Sequence, residues 1–293
     1  MPIDLHTHSD RSDGTQSPRE LVNAASRLGL DAIALTDHDT TEGWEEALTA
    51  ARAADIGLVP GLEISCRYLG AGVHLLAYFV DPDFGPLLTE LDRILDGRNS
   101  RLPAIVERLR DLGIDISAKD VRHVSGPTAA MGRPHVADAL VAQGVCRDRD
   151  DAFRRYLSPG RPAYVDRYAA DLVEMIGLVG EAGGVSVIAH PWTRTGGAVL
   201  GDQALGTLAS KGLAGVEVDH PDHDEHARAR LRRIATDLDL VITGSSDYHG
   251  EGKASRFALG ANSTARSQLD RLIALAGAAA AATRRSGPPV VFR

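Results

Sequence analysis

The chain has 293 residues, of which 43% are hydrophobic, 25% charged and only 4% aromatic, and its formal net charge is −8. This composition belongs to an ordinary globule large enough for one sizeable domain, and it excludes disordered and collagen-like chains. The acidic balance argues against a surface for long nucleic acid, which shows a basic footprint. It leaves room for a small phosphorylated ligand, because bound cations would offset site carboxylates. Cys66 and Cys146 are too few for a disulfide scaffold and form no metal knuckle, so a reducing cytoplasm is the expected location. The start, MPIDLHTH, shows no signal-peptide pattern, and the alanine-rich tract at 274–283 is too short to span a bilayer. Nothing in the sequence calls for a membrane or an obligatory protein partner.

In chain order, PIDLH reads as a short strand. SPRELVNAASRLGL reads as a helix, with Ser17 as cap, Pro18 in the first turn and Glu20 completing a capping box. DAIALTDHD is a buried strand, followed by a helix over 43–53, and GLVPGLEIS and VHLLAYFV are the next strand regions. From 85 to 164 no strand pattern is visible. FGPLLTELDRILDGRNSRLPAIVERLRDLGI reads as helices divided or bent at Pro103, and RPHVADALVAQGV and DRDDAFRRYL as two more. VSVIAHP, GVEVDHP and LVITGSSDYHG resume the strands. A helix near 267–283 and the tail SGPPVVFR close the chain. This strand–helix alternation predicts an α/β fold with a parallel sheet or barrel. The barrel comprises residues 1–84 and 165–293, and 85–164 form a helical insertion that caps one end.

The ionisable residues are not scattered. His6 and His8 lie on one face if their segment is extended. Asp10 and Asp13 follow on a loop where Gly14 permits a turn. Asp37 and His38 end one strand and Glu63 closes another. His74 starts a third, His190 ends VSVIA, Glu217, Asp219 and His220 follow AGV, and Asp247 and His249 follow LVITGSS. Of the 11 histidines, seven (6, 8, 38, 74, 190, 220 and 249) fall at strand positions or strand ends, whereas 123, 135, 223 and 226 fall in helices or loops. Strand ends are where an α/β barrel gathers its active site. Imidazole and carboxylate donors without thiolate suit Mn²⁺, Fe²⁺ or Zn²⁺ better than Mg²⁺ alone. His123, His223 and His226 read as solvated.

DLHTHSDRSDGT, ALTDHDT, GLEIS, VIAHP and GSSDYHG together resemble the PHP (polymerase and histidinol phosphatase) domain, in its stand-alone metal-dependent phosphoesterase branch. The resemblance runs in order from residue 3 to about 250. It implies a distorted (β/α)7 barrel with two or three divalent ions at its mouth, Mn²⁺ foremost. It places His6, His8, Glu63 and Asp247 on one ion and Asp13, His38 and His249 on a second. Glu63 would bridge to a third ion held by His74 and His190, and Asp37 would orient a ligand histidine. Catalytic roles fall on Asp13, His38, His190 and Asp247. The general acid stays open among His190, His220 and a water. Cations close together can activate water and grip phosphoryl oxygens, so no serine or cysteine nucleophile is required.

MGRPHVADAL sets Arg133 and His135 at a helix start, and YLSPGRPAYV adds Arg161, with Lys119 a weaker candidate. A helix start with an arginine fork makes a phosphate site. These elements are similar to those of family members that act on nucleoside 3′,5′-bisphosphates or trim short RNA 5′ to 3′. Arg133, His135, Arg161 and His220 are therefore the expected substrate contacts, and a nucleotide or short oligonucleotide is the expected substrate. A nucleoside 3′,5′-bisphosphate such as pAp would give the mononucleotide and phosphate. The competing readings are a histidinol-phosphate phosphatase, a non-catalytic metal-binding module, and amide hydrolysis at a related site.

Overall fold

The computed structural model describes residues 2–126, 128–193, 196–250 and 254–285. The expected tail SGPPVVFR, residues 286–293, lies wholly outside them. The chain begins β1 (Ile3–Thr7), α1 (Pro18–Arg27), β2 (Ala32–Leu35), α2 (Trp44–Ala54), β3 (Gly57–Tyr68) and β4 (Ala71–Tyr78). The helices α3 (Gly85–Ser100), α4 (Leu102–Asp111), α5 (Ala118–Ser125), α6 (Arg133–Ala142) and α7 (Arg149–Ala152) follow, α7 running on into a π-helical turn over Phe153–Leu157. The remainder is β5 (Ala170–Asp171), α8 (Leu172–Glu181), β6 (Val185–Ala189), α9 (Asp202–Ser210), β7 (Gly215–Asp219), α10 (Glu225–Asp237), β8 (Val241–Gly244) and α11 (Arg266–Thr283).

The sheet order is β1-β2-β3-β4-β6-β7-β8, with β5 paired to β3. A parallel bridge from Thr7 to Tyr248 brings the two ends together, so the sheet curls into a nearly closed seven-stranded barrel. One expectation needs correcting. β4 runs antiparallel to both β3 and β6. A tight turn through Leu69 and Gly70, both at positive φ, makes β3–β4 an antiparallel hairpin within a sheet that was expected to be parallel. His74 and Glu63 therefore sit within long strands, opposite Ser65 and Leu76, and not at strand ends.

Two apolar layers hold the barrel. Ile3, Leu5, Val59, Leu76, Tyr78, Val185, Val187 and Val241 fill its interior, and Leu269 and Leu272 of α11 pack with them. The opposite strand faces pack on α1, α2, α8, α9 and α10. Period-two alternation sends one side chain inward and the next outward. β1 breaks that alternation with a register shift between Asp4 and Thr7, so that Leu5 and His6 both face the interior. The capping box at α1 forms as expected: the Glu20 amide donates to Ser17 Oγ and the Ser17 amide to the Glu20 carboxylate.

Residues 102–163 have their own core, built on Leu102, Ile105, Leu109, Val136, Leu140 and Leu157. α3 belongs elsewhere: Leu87, Leu91 and Ile94 pack into the outer layer of the barrel. The division in packing thus falls at the α3–α4 junction near Arg101, where Pro103 sits in the first turn of α4. No helix among the described residues is long and apolar enough to cross a membrane.

Candidate metal centre

His6, His8, Asp13, His38, Glu63, His74, His190, Asp247 and His249 converge at one end of the barrel, seven of them buried and His74 and His190 partly open. Glu63 stands at the centre. Its Oε2 lies 3.3 Å from His6 Nε2, 3.2 Å from His8 Nε2 and 3.1 Å from His38 Nδ1. Its Oε1 lies 2.7 Å from His74 Nδ1 and 3.0 Å from His190 Nε2. Asp247 Oδ1 lies 3.5 Å from His6 Nε2 and 3.4 Å from His8 Nε2, and Asp13 Oδ1 lies 3.2 Å from His249 Nε2.

The backbone brings them there in strained form. His190 and Asp247 both have positive φ, as does Asp39 beside His38. Gly14 supports the Asp13 loop in a second way: a Cβ there would fall 2.5 Å from the His8 carbonyl oxygen, so the close approach requires glycine.

Three groups have donor atoms mutually close enough to hold an ion: His6–His8–Glu63–Asp247, His8–Asp13–His38–His249, and His38–Glu63–His74. The donor set fits divalent cations on two grounds. Asp13 Oδ1, His38 Nδ1 and His74 Nδ1 are buried and make no hydrogen bond of proper geometry, although carboxylate or imidazole atoms lie close by. Several rings are also oriented from behind, as ligand histidines are. His6 Nδ1 lies 3.1 Å from Glu217 Oε1, His249 Nδ1 lies 2.9 Å from the Asp247 carbonyl, and His190 Nδ1 lies 3.1 Å from Thr193 Oγ1. In each case Nε2 is turned to the carboxylates.

Electrostatics agrees. Burial opposes charge on Glu63, yet His74, His38 and His6 hold its carboxyl well below the usual range. Burial likewise opposes charge on Asp13, and His249 and His38 hold that carboxyl low. Burial pushes His190 down to about 4 and His38 well below an ordinary histidine. Burial opposes charge on His6 and His8 too, yet Glu63 and Glu217 raise His6 well above an ordinary histidine and Asp247 and Glu63 raise His8 to about 9, so a cation taken up there would displace their protons, and binding would weaken on acidification.

Glu217 was noted in the sequence only as one strand-end acid, and its part is larger. It is fully buried and accepts from the His190 backbone N–H at 2.7 Å as well as from Ser245 Oγ, while its other face meets His6. His6 and the neighbouring imidazoles hold it at about 2 against the effect of burial. Asp37 orders the loop before Asp13 and reaches the His8 ring through Ser12, whose Oγ lies 3.5 Å from His8 Nδ1. It accepts from Ser9 N, Ser9 Oγ and Ser12 Oγ.

A cavity of about 450 Å³ opens over the centre, lined by Asp13, His38, Glu63, His74, His190, Asp247 and His249 on one side. Arg98, Arg101, Arg133, Arg149 and Arg167 line it on the other. A second hollow of about 790 Å³ adjoins it and shares His74, His190, Arg101, Arg133, Phe153 and Arg167. Arg101 is buried with Nε lacking a hydrogen-bond partner, and burial together with Arg167, Arg133 and Arg98 pushes its pKa down. A guanidinium does not give up its proton in a protein, so this repulsion is unmet demand for an anion. Arg133 donates to the Leu157 carbonyl at 2.9 Å and lies over the rings of Phe153 and Tyr164.

The other expected substrate contacts line neither hollow. His135 is buried with both ring nitrogens used: Nδ1 accepts from Gly132 N at 3.0 Å and Nε2 donates to the Ser12 carbonyl at 2.9 Å. Arg161 and Lys119 are exposed and line neither hollow. His220 is buried beside Asp247, with Nε2 3.6 Å from Oδ2 and Nδ1 accepting from Asp222 N. His223, expected in solvent, is buried, and its Nδ1 donates to the Val218 carbonyl at 2.9 Å. Arg98, Arg101 and Arg167 escaped the sequence reading, although the spacing of Leu87, Leu91, Ile94, Arg98 and Arg101 continues one helical stripe from leucine onto arginine.

A family model described as the PHP domain matches residues 4–115. The 3′,5′-nucleoside bisphosphate phosphatase of Chromobacterium violaceum is 32% identical over 262 residues, 87% of this chain and 89% of that protein. The 5′-3′ exoribonuclease of Haemophilus influenzae is 33% identical over 248 residues, 84% of this chain and 89% of that one. A Bifidobacterium adolescentis structure, assigned by inference to the metal-dependent phosphoesterases, superimposes with a TM-score of 0.89 at 37% identity, covering 94% of this chain and 98% of its own. The chain belongs to the PHP family, and its chemistry is metal-dependent hydrolysis of phosphate esters.

Proposed function

We propose that the protein removes one phosphate from a nucleoside 3′,5′-bisphosphate and also acts on short 5′-phosphorylated oligoribonucleotides. The observation that carries this reading is the pairing of two walls across one cavity, each able to meet a phosphate: the His/carboxylate centre through the cations it would hold, and the guanidiniums of Arg101, Arg133 and Arg167. A substrate with a single phosphate would use one wall and leave the buried guanidinium of Arg101 without an anion. The activities named for the Chromobacterium and Haemophilus relatives support the same substrate class.

In this reading two or three divalent ions, Mn²⁺ foremost, occupy the three groups above, with His190 beside Glu63. Bound there, they supply the Lewis acidity that lowers the pKa of water and draws charge from the phosphoryl group. The protein does the rest by position. Glu217 holds His6 in one tautomer and fixes the His190 backbone. Arg101 and Arg167 bind the second phosphate and set the distance to the first, while Phe153 and Tyr164 keep Arg133 aimed into the cavity. The arginine contacts exist before the transition state as well as in it, so they govern binding more than turnover. The cytoplasm, where such nucleotides arise, is the matching location.

The test is phosphate release by Mn²⁺-loaded protein from pAp, AMP, histidinol phosphate and a short 5′-phosphorylated RNA. Preference for pAp over AMP and histidinol phosphate is the expected result. Release from histidinol phosphate alone would overturn the substrate assignment.

A further inference from the structure

The insertion does more than roof the cavity, because three of its segments grip the loop that carries Asp13. Thr128 Oγ1 donates to the carbonyls of Arg11 at 3.1 Å and Ser12 at 2.8 Å. His135 Nε2 donates to the same Ser12 carbonyl at 2.9 Å. Both Nη atoms of Arg149 lie 3.4 Å from the Asp13 carbonyl, and Asp138 holds that guanidinium through contacts of 2.5 and 2.6 Å. From the other side, Asp37 takes the amide and hydroxyl of Ser9 and the hydroxyl of Ser12, and the Thr15 N–H reaches the His249 carbonyl at 3.0 Å.

The hydrogen-bond network sets the tautomer of His135. Nδ1 accepts the Gly132 N–H that opens α6, so the proton is on Nε2 and points at Ser12. The ring has no nitrogen left for a substrate. The Ser12 carbonyl belongs to the peptide that leads into Asp13. Two donors on that oxygen fix the peptide plane from which the Asp13 side chain departs toward His249 and His38.

We propose that His135, assisted by Thr128 and Arg149, is a positioning residue for the cation group His8–Asp13–His38–His249 and makes no contact with substrate. All four of its ligands come from the barrel chain, and the insertion braces the group only through the Ser12 and Asp13 carbonyls, a support for which the other group shows no counterpart among the bonds above. The group His6–His8–Glu63–Asp247 is built by β1, β3 and the segment after β8, all parts of the barrel itself. The inference rests on the metal reading given under the proposed function. It extends the usual control of ligands by outer hydrogen bonds to a peptide one step removed from the ligand carboxylate.

The experiment titrates metal-stripped, full-length protein with Mn²⁺ alone by calorimetry, with elemental analysis after desalting and circular dichroism as a check on folding. His135→Ala should weaken one class of Mn²⁺ site about tenfold and leave the others as in wild type. His135→Gln keeps a donor for Ser12 and should recover most of that affinity. At saturating Mn²⁺, KM for pAp should be the same in His135→Ala as in wild type. Wild-type Mn²⁺ binding together with a raised KM would make His135 a substrate contact and overturn the proposal. Should His135→Ala fail to fold, Thr128→Val at a half-buried position decides: one weakened site supports the proposal and unchanged binding overturns it. Wild-type protein that takes up no Mn²⁺ defeats the metal reading itself, a result distinct from variants that match a metal-binding wild type.

Discussion

The barrel mouth and the helical insertion face each other across one cavity, and they place charge in opposite ways. The barrel gathers carboxylates among imidazoles, and burial with mutual proximity leaves Glu63 and Asp13 ionised and His38 and His190 neutral. The helical side gathers guanidiniums with few carboxylates between them. Two of them are paired: Arg98 with Asp39 at 2.8 Å and Ser65 Oγ at 2.9 Å, and Arg149 with Asp138 at 2.5 and 2.6 Å. One wall takes up cations and the other takes up anions. A substrate phosphate that meets both is held in register by charge before any chemistry occurs.

Substitutions on the two walls should therefore fail differently. The largest effect is expected in the barrel: Asp247→Asn and His38→Ala should reduce phosphate release to background in protein that folds normally by circular dichroism and binds fewer ions by elemental analysis. If either variant kept substantial turnover, the centre would not be the reacting site. Next comes the link between α3 and the barrel mouth. Arg98→Met strands the buried Asp39 carboxylate and should cost about 3–5 kcal/mol in a urea melt, whereas breaking an exposed pair such as Arg266–Asp270 should move the midpoint far less. A small loss at Arg98 would mean that α3 is not tied to the barrel mouth through this pair.

Arg101→Ala sharpens the contrast. Losing a charged hydrogen bond to phosphate should raise KM for pAp about ten- to a hundredfold with little change in kcat. KM for AMP, with no second phosphate, should move far less. Equal changes for the two substrates would remove the second-phosphate site from the account.

The smallest effect concerns pH. Burial lowers the pKa of His135, so its folded-state value lies below the ordinary 6.5. Protonation on acidification would take away the acceptor that caps α6. The stability tied to neutral His135 is present above pH 6.5 and is lost as pH falls through the lowered value. Metal-free wild type should lose stability below pH 6.5 more steeply than His135→Gln, followed by urea midpoints across that range. Parallel slopes would show that His135 does not titrate in this way.

The same two regions differ in how much the sequence reveals. The barrel site was legible because residue type carries its chemistry and strand–loop punctuation carries its location: His6, His8, Asp13, His38, His190, Asp247 and His249 stand near strand ends in a recognisable order. Glu63 and His74 were found by type but misplaced along their strands, because nothing local distinguishes a hairpin at Leu69-Gly70 from a crossover. The insertion was legible as helices and opaque as a site. GRPH reads equally well as a helix cap and as a phosphate contact, and only the approach of Ser12, more than 120 positions away, decides that His135 turns from the cavity. Arg98 and Arg101 announce themselves only as charges on an apolar stripe, and Arg167 by no local signal at all. Glu217 is ordinary until the fold sets it behind His6.

The most direct test of the central claim is phosphate release from pAp by purified protein before and after a strong chelator, with metal content determined on the same sample. Two or three divalent ions per chain, with release lost on chelation and restored by Mn²⁺, is the predicted result. Protein that holds no divalent metal and releases phosphate undiminished in the chelator would contradict the account.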